Sequence, residues 1–321
     1  VRPLSQTQLM LRRFRAHRLG MVGACILGVM YLVVILAPFI APTDYLQQRR
    51  NYVNHPPTRI RWFDHEGRFH WRPFVYRTVR SRDPITLEVT WEEDHSVKYP
   101  IYFLVRGPSY RLFGLEANLH LFGVDQESGG QLFLFGTDRF GRDVFSRTLY
   151  GGRVTLSVGV FGIVLSLVIG VVMGGISGYY GGAVDNLIQR FIELLRSFPR
   201  IPLWLALSMI LPANWSSVKV YFGVVTILSL LDWTGVARVV RGQFLNLRTK
   251  EFVESARALG VGDMGIIFRH ILPNIMSYLV VTATLSFPGM IIGESSISFL
   301  GLGIKEPMTS WGLLLKDAQS M

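Results

Sequence analysis

Four charged residues stand inside or beside apolar runs. Asp232 falls midway along Val220 to Val240, Glu193 and Arg196 lie near the start of Phe191 to Leu211, and Glu294 lies near the outer end of Ile275 to Leu300. A charged side chain at the centre of a bilayer costs about 2.5–3.5 kcal/mol on insertion scales, so such groups face a bundle interior or water. The chemistry open to them is ion pairing or the lining of a polar path. Glu193 and Arg196 are spaced i,i+3 and could pair on one face. The alternative places Glu193 to Arg200 at the cytoplasmic interface, with Arg196 and Arg200 snorkelling. Asp232, in Asp232-Trp233-Thr234-Gly235, either lines a path or caps a turn at a helix break. Glu294 leans toward a structural role.

Covalent and metal chemistry find little to work with. The sequence holds no Gly-x-x-x-x-Gly-Lys-Ser/Thr string to cradle phosphates, no His-Glu-x-x-His and no Gly-x-Ser-x-Gly. Its 7 histidines are scattered, and His270 reads as a loop residue. The single cysteine, Cys25, can form neither an internal disulfide nor a thiolate metal cluster, and its place in an apolar run predicts packing.

The elements that must position these residues are membrane helices. In 321 residues, 50% are apolar and only 17% charged. That balance, with several apolar runs near 20 residues, argues against a soluble domain. Disorder is excluded by 21 Phe, 12 Tyr and 7 Trp. The net charge of +11 reads as cytoplasmic-loop bias rather than nucleic-acid binding. The first span, Leu19 to Ile40, follows Arg12, Arg13, Arg15 and Arg18, which places the N-terminus in the cytoplasm; the run is too long for a signal-peptide core. Further spans are expected at Val154 to Ile176, Phe191 to Leu211, Val220 to Val240 and Ile275 to Leu300. The basic loop 241–273 should be cytoplasmic and Pro212 to Lys219 external.

Residues 44–135 differ in kind. Alternating stretches at Phe74 to Val79, Ile85 to Thr90 and Ile101 to Val105, broken by Pro56-Pro57, Asp83-Pro84 and Gly107-Pro108, predict a small β-rich extracytoplasmic insertion. Trp62, Trp71 and Trp91 are expected in its core; the competing idea is contact with an external partner or a cap on the external gate. The chain thus divides into 1–43, 44–135 and 136–321.

Two local patterns stand out in the third part. Glycines four apart at Gly170, Gly174, Gly178 and Gly182 make a groove for close helix packing. In the loop after the fourth span, Thr249 to Leu259 can form a short helix, with Phe252, Val253, Ala256 and Leu259 on one stripe and Glu251 and Glu254 opposite. Gly260 and Gly262 interrupt it, Asp263 reads as the N-cap of a second helix holding Ile266, Ile267 and Ile271, and Pro273 closes that helix. Such a pair could lie on lipid headgroups or dock into a groove on a soluble partner.

Glu254-Ser255-Ala256, Gly260 and Leu272-Pro273 match the spacing of the Glu-Ala-Ala loop of bacterial ABC importer permeases. The fuller strings, Phe252 to Gly260 and Arg269 to Asn274, resemble the dipeptide/oligopeptide branch. So do Gly136-Thr137-Asp138 with Gly141-Arg142-Asp143 and Ser146-Arg147, Gly178-Tyr179-Tyr180-Gly181-Gly182 with Asp185, Ser298 to Gly303 with Ser310-Trp311-Gly312, and Arg15 to Leu27. The resemblance covers about residues 1–40 and 136–321. Ser255 departs from the alanine of the pattern, and 44–135 is longer than the usual first external loop. The family's sixth span and cytoplasmic tail would follow Met321, and Val1 is not methionine, so the sequence reads as trimmed.

This resemblance implies an all-α polytopic protein, a type I ABC importer transmembrane domain, in the bacterial inner membrane. It implies a second permease subunit, most simply a different chain, two ABC ATPase subunits that carry the ATP and Mg, and an extracytoplasmic binding protein. No cofactor is expected in this chain, and no catalysis. Glu254, Ser255, Ala256, Arg257, Gly260, Asp263, Ile266, Leu272 and Pro273 would form the ATPase-coupling element, with the coupling helix at about Glu254 to Ile267. Glu254 would meet a basic group on the ATPase, Ala256 and Gly260 would permit close approach, and Pro273 with Asn274 would fix the exit into the fifth span. The cargo would be a peptide or peptide-like solute. The alternatives are a sugar, opine or nickel chelate, or a secondary transporter or channel driven without ATP, for which no repeated halves with matching broken helices are visible.

Overall fold

The computed structural model describes residues 15, 18–82, 89–125 and 128–319; Arg12, Arg13, the Asp83-Pro84 break, residues 85–88 and Met321 lie outside the described residues. Four helices among the described residues are long and apolar enough to cross a bilayer. The chain divides into two compact units, Val1–Arg153 and Val154–Met321.

In the first unit, helix α1 (Arg18–Ile35) is apolar all round and buries only Val34. A helix with no polar face suits lipid on every side. Cys25 is exposed on it, so the packing role expected for that thiol is not seen. A single turn, α2 (Ala37–Ile40), carries Pro38 in its first turn, where a missing N–H costs nothing. Ala37 and Ala41 pack against Leu149.

The strands β1 (Arg61–Phe63), β2 (Phe69–Arg82), β3 (Val89–Leu112) and β4 (Leu115–Val124) form an antiparallel sheet in sequence order. The 24-residue β3 pairs with β2 over its first half and β4 over its second. Gly107-Pro108 does not end it; the break expected there is a register shift between Arg106 and Tyr110. The sheet core is Val75, Ile101, Val124 and Leu132. The tryptophans are not that core: Trp62 is 48% and Trp71 91% exposed. Trp71 shares a face with Val75 by the period of two, but lies past the patch that Leu132 and Leu134 cover. Trp91 is half-buried, stacks on Tyr52 and meets His55 edge to face.

The segment before helix α3 (Val144–Tyr180) is held by buried charges. Asp138 accepts from Arg142 Nε at 2.8 Å and from Arg147, and both arginines are almost wholly enclosed. Asp143 is the N-cap: its carboxylate accepts from the N–H groups of Phe145 and Ser146 and from the Ser146 hydroxyl. This cap starts α3 ten residues ahead of the apolar run at Val154.

In the second unit, the third apolar run is not one span. It is an amphipathic helix, α4 (Gly182–Arg196), a break at Ser197-Phe198-Pro199, and a short helix, α5 (Arg200–Met209). Pro199 excludes Phe198 from the helical region and caps α5 in extended conformation, which a hydropathy window averages away. Helix α6 (Ser217–Leu247) is capped by Ser216. Helix α7 (Glu251–Ala258) and the long α8 (Asp263–Phe299) follow, then α9 (Trp311–Gln319). Gly170, Gly174 and Gly178 face α6: a Cβ on Gly170 would lie 2.5 Å from Val236 Cβ, and one on Gly174 2.4 Å from the Ala237 carbonyl oxygen, whereas Gly182, expected in the same groove, opens α4 at φ +56° with nothing near its Cβ position. The main core gathers Val158, Trp204, Val224, Leu228, Met290 and Ile297.

Candidate coupling site

The loop 248–271 is built as an elbow. Glu251 and Glu254 lie in the first turn of α7, where carboxylates complement the helix dipole, and Arg257 lies in the last. The helix ends in a Schellman motif: Gly260 N–H donates to Arg257 O at 3.0 Å, and Val261 N–H to Ala256 O at 3.1 Å. Gly260 sits at φ +81°, and no atom of this chain crowds its Cβ position, so within the chain it is the backbone angle that requires glycine. The coupling helix expected over Glu254 to Ile267 is therefore two helices with a turn at 259–262.

Gly262, not Asp263, is the N-cap of α8, and Asp263 is its first helical residue. Nor does Pro273 close that helix. Six residues, Ile266–Ile271, take the wider π form, and the chain continues through Pro273 to Phe299. In a regular helix the Pro273 ring would clash with the Arg269 carbonyl; the widened turn accommodates it. Asn274 Nδ2 donates to His270 O at 2.6 Å, a side-chain bond beside the widened turn.

Burial sorts the residues of the elbow. Val253, Ala256, Ile266 and Ile271 point inward and pack with Tyr179, Val240, Phe244 and Ile275. Ala256 therefore serves close approach within this chain, not toward an outside partner. Glu254, Ser255, Arg257, Gly260, Asp263 and Pro273 are exposed, and Leu272 is half-buried. Phe252 and Leu259, which share the stripe of Val253 and Ala256 in the sequence, are 40% and 84% exposed. Phe252 is adjacent to the buried Val253, and the elbow ends the helix before Leu259 can turn inward. With Met264 and Phe268 they leave large apolar side chains exposed on the elbow, where Glu254 is exposed as well.

Three polar links fasten this region. The Tyr179 hydroxyl donates to Asp263 Oδ1 at 2.6 Å, and Arg257 Nη2 reaches the same hydroxyl at 3.5 Å. Arg248 donates to the carbonyls of Gly178 and Tyr179 at 3.2 and 3.0 Å. Arg241 grips Asp185 with two bonds of 2.6 Å. In the sequence Arg241 and Arg248 count only as topogenic charges and Arg257 as part of the coupling element; nothing in their spacing shows which groups they would meet.

The intramembrane charges divide. Asp232 sits in an unbroken α6, so no helix break exists for it to cap. It is mostly buried, with Arg200 Nη1 3.4 Å from its Oδ1. Arg196 and Arg200 line a cavity of about 130 Å³ with Phe198, Leu203 and Thr234. Glu193 pairs with Arg190 at 2.7 Å rather than with Arg196. Glu294 is fully buried and accepts from Thr155 at 3.0 Å and Ser298 at 2.7 Å. Thr155 in turn accepts the Trp311 N–H, and Ser298 the Ile304 N–H.

Residues 166–321 match the family described as binding-protein-dependent transport system inner membrane component. Residues 5–57 match the N-terminal transmembrane domain of oligopeptide transport permease C. The oligopeptide transport system permease protein OppC of Haemophilus influenzae is 38% identical over 281 residues, 86% of each chain. The dipeptide transport system permease protein DppC of Bacillus subtilis is 29% identical over 98% of this chain and 74% of its own. The OppC of Escherichia coli K12 is 45% identical over 61% of this chain and 63% of its own.

Proposed function

Because the chain belongs to the family of oligopeptide and dipeptide ABC transporter permeases, the binding-protein-dependent inner-membrane components, we propose that its elbow at 248–271 is the surface on which partner ATPases push. The chain is a non-catalytic, multi-pass permease subunit of a binding-protein-dependent oligopeptide/dipeptide transport system in the inner membrane. In this reading the N-terminus is cytoplasmic. The chain pairs with a second permease to enclose the path, two ATPase subunits bring the ATP and Mg, and a binding protein delivers a peptide from outside.

The observation that carries the coupling role is the two-sided elbow. Its inner face is apolar and locked to α3 and α6, while Phe252, Leu259, Met264 and Glu254 stay exposed around it. Exposed apolar side chains around a short acidic helix fit a groove on a soluble partner. Glu254 offers a carboxylate to a basic group there. The third crossing is then shared by α4 and α5. Their break sets Arg196 and Arg200 near Asp232, where polar walls suit a peptide whose sequence varies.

The test is uptake by the complete transporter in liposomes. Glu254→Lys and Gly260→Val should leave ATP hydrolysis running while peptide uptake falls. Gly260→Val forces a β-branched residue to φ +81°. Normal uptake by both variants, or uptake that persists with inactivated ATPases, overturns the reading.

A further inference from the structure

The Tyr179 side chain meets both halves of the elbow. Its ring lies in the apolar cluster with Val253, Ala256 and Ile266. Its hydroxyl donates to Asp263, at the start of α8, and lies within reach of Arg257, at the end of α7. Its backbone carbonyl accepts from Arg248, at the end of α6. Tyr179 is itself the last but one residue of α3. One residue thus touches the ends of four helices.

The surroundings of that residue are stiff. The close contacts of Gly170, Gly174 and Gly178 hold α3 against α6, and Asp185–Arg241 holds the start of α4 to the same helix. The elbow joins this block by the main chain at Arg248 to Lys250, and leads into α8 through the π segment. Across the elbow, a polar link to α3 runs through the Tyr179 hydroxyl.

We propose that the Tyr179–Asp263 hydrogen bond, with Arg257 beside it, is the joint that makes a push on the elbow move α3 together with α8. Tyr179 is then a positioning residue for energy coupling. This rests on the reading of the elbow as the ATPase-facing lever. Without the joint, a displaced elbow swings on its π segment and carries α8 alone, so the ATPases turn over without both helices shifting together.

Tyr179→Phe tests this cleanly, since the ring and its packing remain. The complete transporter in liposomes is assayed for peptide moved per ATP hydrolysed. That ratio should fall roughly tenfold or more, the scale of losing a hydrogen bond to a charged group. Asp263→Asn should lower it too, and the double variant should be no worse than the poorer single one. Tyr180→Phe, on a ring 52% exposed, should leave the ratio unchanged. A role confined to stability would lower uptake and hydrolysis in proportion, leaving the ratio at the wild-type value, and that result overturns the joint. If Glu254→Lys uncouples while Tyr179→Phe and Asp263→Asn do not, the lever stands and the joint falls. If none of the three changes the ratio, both fall.

Discussion

Asp185 and Arg241 are joined by two parallel hydrogen bonds of 2.6 Å each, and Ser177 donates to the same carboxylate. The pair fixes the turn after α3 onto α6. A planar guanidinium makes this fork and an ammonium cannot. Arg241→Lys should therefore lower the melting temperature of the detergent-purified complex, and Asp185→Ala should lower it further. The Asp185 variant should cost about 1–3 kcal/mol, because it strands a partly enclosed cation. A wild-type melting curve for Asp185→Ala would contradict the assignment.

Gly174 packs backbone to backbone against α6. A methyl there would stand 2.4 Å from the Ala237 carbonyl oxygen, which cannot rotate away. Gly174→Ala should cost about 1–3 kcal/mol by overpacking, while Gly242→Ala, at an open Cβ position, should cost nothing. Thermal unfolding of the two purified variants side by side checks the contrast; equal melting temperatures would refute it.

Glu294 is held by two hydroxyls in a dry setting, so it braces the end of α8 rather than touching cargo. Glu294→Ala should lower stability by about 1–3 kcal/mol through the stranded Thr155 and Ser298. Glu294→Gln, which keeps an acceptor, should retain most stability and leave the uptake KM unchanged for acidic, basic and neutral peptides. A charge-dependent shift in KM would instead put Glu294 in the path.

Asp64 anchors the β2–β3 region. It accepts from Lys98 at 2.9 Å and His70 at 3.1 Å, and these bonds hold its carboxyl well below the usual carboxylate range. A depressed folded-state pKa adds stability that is fully present above the unfolded value of 3.8 and drains away as pH falls through the folded one. Asp64→Asn should destabilise the sheet at neutral pH, and the gap from wild type should close in strong acid. Tryptophan fluorescence of the full chain across pH checks the trend; a gap that widens on acidification would reverse the sign.

The elbow displays where local pattern suffices and where it stops. Glycine after eight helical residues announced the end of α7, because only glycine takes φ +81° without strain. Whether Phe252 faces in or out depends on what lies beneath, and Tyr179 and Phe244, which lie there with Ile266, come from other helices. Trp71 differs from expectation for the same reason: its type and parity belong to a core, yet the covering segment ends short of it.

What the sequence settled alone was composition-driven: long apolar helices, an alternating polar insertion and the spacing of the loop that resembles importer permeases. Those are properties of one segment in contact with its solvent, lipid or water, and each is readable from its own residues. The split of the third run is written locally in Pro199 and lost only to a hydropathy average, whereas the pairing of Asp185 with Arg241 and the meeting of Tyr179 with Asp263 were decided by tertiary structure. Hydrogen bonds between residues 56 and 84 positions apart depend on helix rotation and register, which are fixed only when several helices pack at once.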